Sequence, residues 1–75
     1  MEIMDKMIIK RFIAGGCEYR IRQDADGNGF HLEKWEETNY DEGYWELMYT
    51  EDDMEEMHRH YEDILEAGAE IDMNL

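Results

Sequence analysis

From Cys17 to Gln23, apolar and charged positions alternate, with Cys17, Tyr19 and Ile21 on one side and Glu18, Arg20 and Arg22 on the other. A period of two is that of a half-buried β-strand. The preceding run, 6–13, is rich in Ile and Phe, and Gly15-Gly16 separates the two, so the pattern predicts a hairpin with strands over 6–13 and 17–23. Asp24-Ala25-Asp26-Gly27-Asn28-Gly29 is a second turn, dense in residues that tolerate left-handed backbone, and leads into a third strand over 30–36 with Phe30 and Leu32 on one side. After a polar stretch from Glu37 to Gly43, Trp45, Leu47 and Tyr49 alternate with Tyr44, Glu46 and Met48, which predicts a fourth strand over 44–49 with both faces partly apolar.

Beyond Thr50 the period changes. Met54, Met57, His58, Tyr61, Ile64 and Leu65 recur at three- and four-residue spacing, the stripe of an amphipathic helix over about 51–67. Thr50 is the expected N-cap, Asp53 stands at the reciprocal capping-box position, and Glu51 and Asp52 complement the helix dipole. Gly68 is the expected stop, and 69–75 a short tail, either an edge strand or frayed. The expected architecture is α+β: one domain over 1–75, a four-stranded antiparallel sheet and one C-terminal helix packed on one face. Met54, Met57, Tyr61 and Trp45 are expected in the core, whereas Trp35, Tyr40, Tyr44 and Met48 sit beside carboxylates or on the opposite face, as interface anchors do.

Composition adds charge to this picture. The 75 residues hold 21 Asp and Glu against 7 Lys and Arg, a net charge of −14. The imbalance is concentrated: residues 1–22 net +2 and residues 23–75 net −16. A chain of this size can bury about 63% of its unfolded surface, enough for one small core. Cys17 is the only cysteine, so no internal disulfide staples it, and serine is absent, which removes serine-nucleophile mechanisms. No run approaches the ~20 apolar residues of a membrane helix, and Lys10-Arg11 interrupts the N-terminal apolar groups, so neither a span nor a signal-peptide core is read. The expected compartment is the cytoplasm, the host's if the chain is phage-encoded.

Candidate chemistry is sparse. Asp24 to Gly29 resembles the first half of an EF-hand calcium loop, which would take oxygens from Asp24, Asp26 and Asn28. Its twelfth position is Trp35, with Glu36 one place late, so the bidentate carboxylate is missing and a plain hairpin turn is the favoured reading. His58 and His60, two apart on a helix, project about 200° from each other and cannot chelate one ion together; His60 can pair with Glu56 one turn earlier. Cys17 lacks an adjacent base and is read as packing. Neither an enzyme nor a cofactor is expected.

The carboxylates form two candidate rows. Asp52, Glu55, Glu56, Asp63 and Glu66 follow one side of the helix, interrupted by Arg59, and Glu33, Glu36, Glu37, Asp41, Glu42 and Glu46 supply a second row from the sheet and its connection. If residues 23–75 cover half the folded surface, they carry roughly one charge per 150 Å², against about one per 110 Å² on a DNA cylinder. Trp35, Tyr40 and Tyr44 would anchor the same partner. In size, charge and want of catalytic machinery, the whole chain resembles the small acidic inhibitors of phages and mobile elements, including anti-CRISPR proteins and DNA mimics, without a diagnostic motif. The resemblance implies occupancy of a basic channel in a nuclease or CRISPR effector, with no direct contact to nucleic acid or membrane. Alternative readings are an antitoxin or immunity protein against a basic toxin and a calcium-binding module on the 24–29 loop, and a homodimer is compatible with each.

Overall fold

The computed structural model describes residues 8–73, and side-chain surroundings through Ala69. Four strands, β1 (Ile8–Ala14), β2 (Cys17–Gln23), β3 (Phe30–Asn39) and β4 (Glu42–Glu51), form an antiparallel meander in the order β1-β2-β3-β4, and one helix, α1 (Met54–Met73), packs on it. This is the α+β architecture the periodicities predict. Among the described residues no helix is long and apolar enough to cross a membrane.

The two flanking hairpins close by residues suited to their turns. Gly15 and Gly16 have φ of 58° and 80°, a pair of positive values that matches the right-handed twist of the strands they join. Asp41, at φ 69°, turns the second hairpin. The stretch from Glu37 to Gly43 is therefore not a loop: β3 runs to Asn39 and β4 begins at Glu42. The first strand is described over Ile8–Ala14, and positions 6 and 7 of the expected strand lie outside the described residues.

Cross-strand register assigns the faces. Phe12 opposes Tyr19, Ile21 opposes Leu32 and Leu32 opposes Tyr49, so these side chains share the face that α1 covers. Ile21, Leu32 and Met57 are fully buried, with Phe12, Tyr19, Phe30, Met54, Tyr61 and Ile64 packed around them. Each full burial contributes roughly 1.5–3 kcal/mol. Phe12 meets Tyr61 edge-on at 4.8 Å, and Tyr49 stacks on His60 at 3.8 Å, which ties the helix to both outer strands.

A bulge between Leu32 and Glu33 changes the expected pattern of β4. Leu32 opposes Tyr49 but Glu33 opposes Leu47, so Met48 is an extra residue in the ladder. Tyr49 lies on the helix face, whereas Leu47 and Trp45 lie on the opposite one, with Glu33 and Trp35. Trp45 is thus outside the core, contrary to expectation, and packs edge-on against Trp35 at 5.3 Å. Tyr44, opposite Glu36, falls instead on the helix side.

Helix boundaries also differ from the sequence reading. Thr50 is still in β4, its hydroxyl 3.0 Å from Nδ1 of His31. Asp53 is the cap: its Oδ1 accepts from the Glu55 amide at 3.0 Å, and its carbonyl accepts from the Met57 amide at 3.1 Å. At the other end α1 passes through Gly68 to Met73, so 69–73 is helical and no edge strand forms there; 74 and 75 lie outside the described residues. Gly68 serves close approach. A Cβ there would stand 2.7 Å from the Gly15 nitrogen and 2.9 Å from the Ala14 Cβ, so the missing side chain lets the helix rest on the β1–β2 turn.

A candidate acidic interface

The buried side of α1 is set by Met57, Tyr61, Ile64 and Gly68, and at 100° per residue the opposite side is centred on Glu55, Arg59, Glu62 and Glu66. Glu55, Glu56, Glu62, Asp63 and Glu66 all point outward and are exposed, as are Asp52 and Asp53 at the helix start. From Glu55 to Glu66 the axis rises about 16 Å, which spaces the five carboxylates at roughly 4 Å on average, against the 3.4 Å per phosphate along one DNA strand. Arg59 is the one cation among them and lies 3.4 Å from Glu56. His58 stands 3.4 Å from Glu62, and both are well exposed. Such exposed pairs hold their geometry loosely and contribute a few tenths of a kcal/mol. His60 does not pair with Glu56: its Nε2 is 2.7 Å from Glu51 at the end of β4.

All five helix-side residues expected from sequence lie on this surface. Glu62 was missed, although its position, 20° from Glu55 on the helical wheel, was available from the spacing alone.

The second expected row divides. Glu33 leaves the surface altogether. It is 6% exposed, with Arg20 Nε 2.6 Å from its Oε1 and Arg22 Nε 3.0 Å from its Oε2. Register explains this, because Glu33 lies directly opposite Arg20 on β2, with Arg22 two residues further along the same face. Arg20 also covers the Trp45 ring at 4.2 Å.

Glu36, Glu37, Asp41 and Glu42 stay together at the far end of the sheet. The β2–β3 ladder ends at Tyr19 opposite Lys34 while β3 continues to Asn39, so the two hairpins part and a cleft of about 720 Å³ opens between them. Cys17 and Glu18 line one wall, and Lys34, Glu36, Glu37 and Glu42 line the other. Within it Lys34 Nζ is 3.4 Å from Glu36. The hydrogen bond to Glu36, reinforced by Cys17 and by the Glu36 charge, holds the Lys34 ammonium above the ordinary lysine value of 10.5. Tyr40 protrudes from the hairpin tip, and Tyr44, Glu46 and Met48 are exposed along β4. Trp35 is half-buried, its ring lying over Gly43, where a Cβ would come within 2.5 Å of it.

In the 24–29 loop, Asp24 Oδ1 accepts from the Ala25 amide at 2.7 Å and Asp26 Oδ1 from the Asn28 amide at 2.9 Å. The Asp24 amide donates to the Gly29 carbonyl at 2.8 Å, closing a β2–β3 hairpin. The aspartates thus act as turn formers. Among the described residues, no three His, Cys, Asp or Glu side chains are gathered to hold a metal ion.

Comparison with protein-family models, with curated proteins and with solved structures found no match for this chain.

Proposed function

We propose that the protein acts by binding: its acidic helix face occupies the nucleic-acid site of a basic protein, such as a nuclease or CRISPR effector, and blocks it. The observation that carries this reading is the one-sided charge of α1. Five outward carboxylates, flanked by Asp52 and Asp53, face solvent against the single cation Arg59. A surface held at phosphate-like spacing attracts a basic groove quickly and loses that attraction as salt screens it. The carboxylates of the hairpin cleft extend the same sign of charge to a second patch, and Tyr40 and Tyr44 offer aromatic area beside it.

The test is a displacement assay. Basic proteins captured by the tagged chain from a bacterial lysate are identified, and each is titrated while bound to a fluorescent duplex. Release of the duplex by wild type, and failure of a Glu55→Lys, Glu62→Lys, Glu66→Lys triple variant to release it, is the expected result. Capture that ignores 0.5 M salt, or release that survives the triple variant, removes the helix face from the mechanism. A captured protein that binds no nucleic acid shifts the reading to neutralisation of a basic toxin.

A further inference from the structure

The sheet face turned away from α1 differs in character. It carries Arg11, Arg20 and Arg22 with Glu18, Glu33 and Glu37, so its charged residues cancel, and among them lie Ile13, Trp35, Trp45 and Leu47. Ile13 is 73% and Leu47 54% exposed. The molecule has two layers, 15 Å across in its thinnest direction, and α1 covers only one side of the sheet. We propose that this outer sheet face is the interface of a homodimer, two sheets packed face to face with the helices outside.

Charge selects the occupant. Three glutamates offset the three arginines, so this face offers a basic partner no net attraction, and a polyanion is repelled by the chain's net charge of −14. A second copy brings an equally neutral face, as an isologous contact requires. Sheets pack about 10 Å apart and helices about 10 Å from what they cover, so the two α1 axes lie about 30 Å from each other. That is more than three Debye lengths at physiological ionic strength, and the acidic faces scarcely oppose association.

The ionic centre is already largely out of water in the single chain: besides Glu33, the Arg20 and Arg22 side chains are only 13% and 22% exposed, and the two guanidiniums share that one carboxylate. The water to be removed covers Ile13, Leu47 and the tryptophan edges, together with the exposed side chains of Arg11, Glu18 and Glu37. Strand spacing and length give a face of roughly 450–600 Å² per copy, hence about 900–1,200 Å² in a dimer, the size of a weak, reversible association.

Sedimentation equilibrium of the full chain from about 1 to 500 µM, in 0.15 M and 1 M NaCl, decides it. The expected result is a monomer–dimer equilibrium that salt leaves unchanged or tightens, with tryptophan emission shifting to the blue as dimer forms. Ile13→Lys and Leu47→Lys each raise the dissociation constant at least tenfold, whereas Glu62→Lys and Glu66→Lys alter it less than threefold. Both apolar positions are exposed in the single chain, and circular dichroism verifies that the variants stay folded; Leu47→Gln serves as the milder change. Monomer mass throughout, a dimer dissolved by salt, or a dimer indifferent to Ile13 and Leu47 overturns the proposal.

Discussion

Glutamate plays opposite parts on the two faces of this molecule. On α1, Glu55, Glu62 and Glu66 stand in water, where a carboxylate is cheap to keep charged and its repulsion from neighbours is partly screened. On the outer sheet face, Glu33 is removed from water and compensated by two guanidiniums. The first arrangement projects charge outward for a partner to read. The second holds one carboxylate between two guanidiniums, on an aromatic face whose three arginines and three glutamates sum to zero. Net charge alone, however extreme, therefore says little about any one surface until the strand register is known.

The sharpest way to break the comparison is to neutralise one carboxylate on each face. Glu33→Gln leaves Arg20 and Arg22 without a counter-charge. Losing one partner of a buried pair costs about 3–5 kcal/mol, and the arginines' residual access to solvent lowers the expectation here to about 2–4 kcal/mol. Urea denaturation at neutral pH reads it. Glu62→Gln or Glu66→Gln should shift stability by less than about 0.5 kcal/mol, with a tendency to stabilise as like-charge repulsion falls. If Glu33→Gln costs under about 1 kcal/mol, the sheet face is not organised around that carboxylate.

A glycine on each side gives the next largest effect. In an exposed helix, Gly→Ala gains about 1 kcal/mol. Gly68→Ala should reverse that sign and cost about 1–3 kcal/mol, because its Cβ would strike the Gly15 nitrogen and the Ala14 Cβ. Gly43→Ala should cost a similar amount, since the Trp35 ring and the Glu36 carbonyl both lie 2.5 Å from the added atom. Thermal melts of the two variants compare the helix–sheet contact with the outer-face contact directly, and a stabilised Gly68→Ala would show that the helix end does not rest on the turn.

These glycines also mark where sequence reading stops. The strands and helix were legible because each buries one stripe, with a period of two in Tyr19 and Ile21 and of three to four in Met57, Tyr61 and Ile64. Gly68 looked like a stop because local propensity was the sole guide, and its tertiary neighbour Gly15 lies more than fifty residues away. Trp45 was misplaced because the Met48 bulge inverts the alternation, a feature of pairing with β3 that no local pattern carries. The helix carboxylates were legible since spacing alone fixes a helical face. Glu33 was not, because its partners come from the neighbouring strand.

The helix start offers a smaller test of the same point, that not every carboxylate near the acidic face is free. Asp53→Ala removes the oxygen that accepts the Glu55 amide and should cost about 1 kcal/mol. Thr50→Ala should cost less than about 0.5 kcal/mol, because the Thr50 hydroxyl reaches an exposed His31 contact and no helix amide. Equal losses in the two variants, measured by chemical denaturation, would return the cap to Thr50.

Glu36 stands between the two extremes, exposed enough to belong to the acidic surface yet partly matched by Lys34. The hydrogen bond to Glu36 is the largest cause of the raised Lys34 pKa, followed by the influence of Cys17 and the Glu36 charge. Because the folded value lies above the unfolded 10.5, the stabilisation from this contact is fully present below about pH 10.5 and is lost as pH rises through the folded value. For so exposed a pair it amounts to a few tenths of a kcal/mol. Carbon-13 chemical shifts of the Lys34 Cε should therefore titrate above 10.5 in the wild type and move down toward 10.5 in Glu36→Gln. An unchanged midpoint would mean that Lys34 does not hold Glu36, and the hairpin row would then present its full charge alongside the helix.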